Sequence, residues 1–153
     1  MTLALGFFLA LVCLWQMYFA RAEQQVVDHL TSSADPIAAV HLGLSAIYGV
    51  VAGLVVFAAG AETLLADAHV ADAQLAGVLV LVGPALYLLS QAFYFRRETG
   101  TGWIPRVLGA VVLCLAAIAA YWLPAWLVVL ALVLILGALA VQLSRDTTGA
   151  STG

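Results

Sequence analysis

DPIAAVHLGLSAIYGVVAGLVVFAAGAE, Asp35 to Glu62, carries no charged side chain between its two terminal carboxylates. About 20 apolar residues in helical form cross the hydrocarbon of a bilayer. A run of this length therefore predicts a membrane helix over about 36–60. Asp35 can cap it, and Pro36 suits a first helical position, where the missing N–H costs nothing. Inside the run sits one histidine, His41. Ionisable side chains within spans are rare, so its role is the question the rest of the sequence must answer.

Working outward, four more apolar runs appear, at about 3–20, 73–95, 105–122 and 125–143. Of the 153 residues 65% are hydrophobic and 8% charged, where soluble domains carry about 25% charged residues. The reading is an all-α polytopic membrane bundle with five transmembrane helices, a single unit over 1–145, followed by a polar, disordered tail at 146–153. Pro84 lies inside the third run, where it predicts a kink, and Pro124 separates the fourth run from the fifth. The first run resembles a signal sequence but lacks a positive n-region, so it is read as a retained span.

Five spans make a statement about charge. Arg21, Arg96, Arg97, Arg106 and Arg145, all the basic residues of the chain, then fall on one side. The other side receives Glu62, Asp67 and Asp72. The positive-inside rule assigns the arginine side to the cytoplasm, with the N-terminus outside and the C-terminus inside. The net charge of -3 and the lack of lysine argue against a nucleic-acid partner. Cys13 and Cys114 lie in apolar runs and read as small apolar residues, not as a disulfide. No internal repeat of the transporter kind is visible.

At 100° per residue His41, Ser45, Tyr48, Ala52 and Ala59 share one face of the second helix, with Glu62 near its end and the small pair Gly49 and Gly53 at its margin. Small residues let helices approach closely, so His41 is expected to point at neighbouring helices. Tyr87, Ser90, Gln91 and Tyr94 form one stripe of the third helix. His41, Gln16 and Gln91 each lie five residues from the end of their run. They are therefore expected at one height, as an intramembrane polar cluster with Tyr18 and the other tyrosines. Within their interiors, helices 4 and 5 are expected to add no polar side chain larger than tyrosine. Two readings stay open. The cluster merely holds the bundle or snorkels to the interface, or it handles a proton or ligand through His41, histidine being the residue type that serves as a switch.

Glu62, Asp67, His69 and Asp72 make a weak candidate for an outer cation site, but their spacing matches no metal motif. One intramembrane histidine does not supply the two facing ligands of a b-type haem. No nucleophile triad, P-loop or glycine fingerprint is present. Neither a cofactor nor an enzymatic role is expected.

Leu14-Trp15-x-x-Tyr18-Phe19-x-Arg21-Ala22-Glu23, then His41-Leu42 through Gly49-x-x-x-Gly53 to Ala59-Gly60-Ala61-Glu62, then Gly83-Pro84-Ala85-Leu86-Tyr87-Leu88-Leu89 with Phe95-Arg96-Arg97, resemble in order the successive spans of the bacterial low temperature requirement A (LtrA) family. The resemblance covers the C-terminal portion of that family's usual, longer architecture. It departs at Gln16, where an aromatic is expected, and at Gly43, where proline is common. It implies a multi-pass protein of the bacterial plasma (inner) membrane, acting as a truncated or split member, as a homo-oligomer or beside a second membrane subunit. The resemblance names no substrate. The functions expected are a transport or permeation component built on the His41 cluster or, alternatively, a structural or assembly subunit without its own activity.

Overall fold

The computed structural model describes residues 3–17, 36–66, 70–98 and 103–149. They form five helices: α1 (Leu3–Met17), α2 (Pro36–Leu65), α3 (Val70–Glu98), α4 (Trp103–Ala119) and α5 (Ala125–Gly149). The order is that of the five apolar runs. Three stretches, Gly43–Leu65, Ala73–Arg97 and Ala125–Gln142, are long and apolar enough to cross a membrane, while α1 and α4 are apolar but shorter. The ends differ from the expected ones. α2 continues through Leu65 because Glu62 and Thr63 cost a helix end nothing; the Thr63 hydroxyl bonds back to the Ala59 carbonyl at 2.9 Å. α5 runs on to Gly149, so residues 146–149 of the expected disordered tail are helical, and 150–153 lie outside the described residues.

α3 is the hub. It packs against α2, α4 and α5, and half of its apolar stretch is buried. Its contact with α2 is made by backbones. A methyl added at Gly53 would lie 2.7 Å from the Gly83 carbonyl oxygen, one at Gly83 2.6 Å from that of Gly53, and one at Gly60 2.8 Å from the Val80 nitrogen. In lipid, close approach supplies the dispersion that a hydrophobic driving force supplies in water. Pro84 is buried on this hub; its ring nitrogen leaves the Val80 carbonyl without its usual helical donor.

α1 docks where three helices meet. Phe7 sets its ring edge-on to Phe57 of α2, centroids 5.9 Å apart, and a side chain at Gly6 would collide with Val129 of α5. α4 presents a line of Arg106, Gly109, Ala110, Leu113 and Ala117 to the interior. The turn into α5 is closed by the Trp122 and Leu123 amides on the Ala119 and Ala120 carbonyls, at 3.0 and 3.3 Å, and Pro124 offers its carbonyl to Leu127 at 3.0 Å to start the next helix. Gln74 of α3 ties down this turn by donating to the Tyr121 carbonyl at 3.4 Å. Helices consecutive in the chain run antiparallel.

Candidate functional site

A buried chain of hydrogen bonds crosses the bundle from α4 to α1. Arg106 Nε donates to Gln91 Oε1 at 3.2 Å. Gln91 Nε2 donates to the Tyr87 hydroxyl at 3.1 Å, and that hydroxyl donates to the Leu14 carbonyl at 2.7 Å. Tyr87 and Gln91 are one turn apart on α3, so the helix itself sets their spacing. The Leu14 carbonyl of α1 accepts this donor from α3. The bond joins the two helices, so it fixes how deeply α1 seats.

Arg106 is 1% exposed and Gln91 6% exposed. The Arg106 guanidinium carbon also lies over Phe95, 3.9 Å from the ring centroid, so aromatic face and amide share the work of replacing its water. Among the described residues no buried side-chain nitrogen or oxygen is left without a partner. Two further arginines lie at the same end of the bundle, Arg96 over Trp103 at 5.2 Å and Arg97 over Phe93 at 5.4 Å.

The remaining residues singled out in the sequence fall elsewhere. Gly53 packs on Tyr87 and Gly49 on Ser90, which sets Gln91 level with Tyr48. His41 is seven residues beyond, about 10 Å along the axis. His41, Ser45 and Tyr48 face outward, Tyr48 with 73% of its surface exposed. Gly49 and Gly53, roughly a quarter to a third of a turn away from His41, are turned to α3. Ser45 donates to the His41 carbonyl and Ser90 to the Leu86 carbonyl, both at 2.9 Å, and the two serines line a shallow hollow of about 250 Å³ with Leu89 and Phe93. Tyr94 is half-buried with its ring edge-on to Phe95. Gln16 is exposed. Tyr18, Asp67 and His69 lie outside the described residues, as does the side chain of Asp72. Glu62 is exposed on α2, and the described residues contain no group of three or more side chains able to hold a metal ion.

His41 and Glu62 share the exposed face of α2, about 21 residues and hence about 31 Å apart. That separation is the thickness of bilayer hydrocarbon, about 30 Å.

The polar group missed in the sequence is Arg106. Its charge was counted toward topology, at the start of the fourth run. The signal that finds it is spacing: Arg106, Gly109, Ala110, Leu113 and Ala117 recur at three or four residues, so the arginine shares the face of the small residues that pack inward.

The family model of the bacterial low temperature requirement A protein (LtrA) matches residues 1–141. The chain belongs to the LtrA family. Among curated proteins and solved structures, none matches it significantly. In this LtrA protein the span motifs quoted above include packing positions. Gly83 meets Gly53, Tyr87 holds the end of α1, and Phe95 carries the Arg106 guanidinium. With family and apolar helices together, it is an integral membrane protein of LtrA type.

Proposed function

We propose that this LtrA protein is a five-span bundle of the bacterial inner membrane with a non-enzymatic role, acting as an assembly unit in a homo-oligomer or beside a second membrane subunit. The observation that carries this reading is the consumption of the central polar groups by one another: Arg106, Gln91, Tyr87 and the Leu14 carbonyl bond among themselves. A permeation path needs donors or acceptors turned to the permeant; here they are turned to each other. The cytoplasmic placement of the arginine end, with the N-terminus outside, is supported by Arg96, Arg97 and Arg106 lying together.

A second reading, a transport component, is favoured by the outward His41 and the hollow between Ser45 and Ser90. A neighbouring bundle would complete such a path along α2. Reconstitution of the purified chain in liposomes separates the two. The assembly reading expects proton and solute flux no faster than in protein-free vesicles, together with a complex larger than one chain by size analysis in detergent. Flux that His41→Ala abolishes would replace it with the transport reading.

A further inference from the structure

Between α1 and α2 the bundle is open to its surroundings. One hollow of about 400 Å³ is lined by Leu11, Trp15, Val50 and Leu54, with Tyr87 of α3 at its floor. A second, of about 670 Å³, is lined by Phe8, Leu11, Leu54, Ala58, Glu62 and other residues of the two helices. Leu11 and Leu54 border both, so the hollows form one cleft. From Val50 to Glu62 it runs about 18 Å along α2, against about 15 Å for the hydrocarbon of one leaflet. Its walls are apolar, and its one ionic group among the described residues, the Glu62 carboxylate, stands near the end of α2. A single file of methylenes fits.

We propose that this cleft seats one acyl chain of a bilayer glycerophospholipid whose headgroup carries a primary ammonium, with that ammonium on Glu62. The chain supplies the dispersion contacts that Leu11, Leu54 and Ala58 otherwise lack on their open side. Glu62 selects the headgroup, since a carboxylate accepts hydrogen bonds from a primary ammonium, meets only the charge of a quaternary one and repels an anionic headgroup.

The test uses the purified full chain, delipidated in detergent and offered phosphatidylethanolamine, phosphatidylcholine or phosphatidylglycerol in mixed micelles, with bound lipid counted by native mass spectrometry. Phosphatidylethanolamine is expected to be retained over phosphatidylglycerol by about two- to fivefold, the scale of one exposed ionic contact. Ala58→Trp, which fills the cleft, is expected to lose the bound lipid, and Glu62→Gln to keep lipid while losing the preference. Leu134→Trp, on the exposed face of α5, is the control expected to change neither. Circular dichroism reports folding; if Ala58→Trp loses helicity, Leu11→Phe makes the same test where the hollows meet. Undiminished lipid in the filled variant, or an undiminished preference in Glu62→Gln, overturns the proposal. So does a dimer that Ala58→Trp dissociates without loss of lipid, because a second copy would then be the occupant.

Discussion

An arginine with 1% of its surface exposed on an otherwise apolar helix is held by geometry that only arginine provides. Its planar guanidinium lies on Phe95 while its Nε addresses Gln91; a lysine ammonium has no flat face and no second, inner donor. The hydrogen-bond chain continues through Tyr87, whose hydroxyl is at once acceptor and donor. Removing that one oxygen in Tyr87→Phe takes the cross-helix donor from the Leu14 carbonyl and an acceptor from the Gln91 amide. The expected cost is about 1 kcal/mol, measured by unfolding in mixed micelles. Because Gln91 loses its partner in that variant, Tyr87→Phe with Gln91→Leu is expected to cost less than the sum of the single changes by about 0.5 kcal/mol. Strict additivity would mean that the two side chains act separately. At this scale the sequence was half legible. The i, i+4 spacing of Tyr87 and Gln91 places them on one stripe by helix geometry alone. The outward turn of His41 was not legible, because a histidine on a face bordered by glycines reads as inward until it is known which flank meets α3.

The glycines decide how the elements pack, and they differ among themselves. Gly53 and Gly83 touch the partner helix backbone, which cannot swing aside. Gly43 and Gly137 have nothing within 4 Å of where a methyl would stand. Gly53→Ala and Gly83→Ala are therefore expected to push α2 from α3 and lower stability by about 2 kcal/mol, an overpacking cost. Gly43→Ala and Gly137→Ala are expected to be neutral or to stabilise by up to about 1 kcal/mol through helix propensity. Thermal unfolding monitored by circular dichroism in detergent checks the contrast, and equal losses at all four positions would remove the argument. The five helices and their order were readable because each apolar run is long and bounded by charge or proline. Their ends were not. Glu62 and Arg106 each looked like the edge of a span, yet a helix continues through a charged residue whenever its side chain reaches water or a partner.

On the scale of the whole molecule, alternation and charge make one joint prediction. α1 meets α2 with Phe7 against Phe57 and with Leu14 and Val50 lining one hollow, so the two run antiparallel. Gly53 on Tyr87, Gln91 on Arg106 and Gly109 on Leu139 continue the alternation through α3, α4 and α5. Five alternating helices bring the two ends of the bundle, at Leu3 and Gly149, to opposite poles, and Arg96, Arg97 and Arg106 share the pole of the α5 end. The described residues of α1 and α4 span about 22 and 26 Å at 1.5 Å per residue, short of about 30 Å of hydrocarbon. They can cross only where the bilayer thins or flanking residues complete the crossing. If all five cross, a reporter active only in the cytoplasm is expected to work fused to the C-terminus and to fail at the N-terminus, with the pattern inverted for a reporter active only outside. Both termini in one compartment would mean that one short helix lies along the interface instead. α1 would be the first to suspect, since Tyr87, Phe57 and Val129 hold it to the bundle from one side and leave Leu5, Phe8, Leu9 and Val12 exposed on the other.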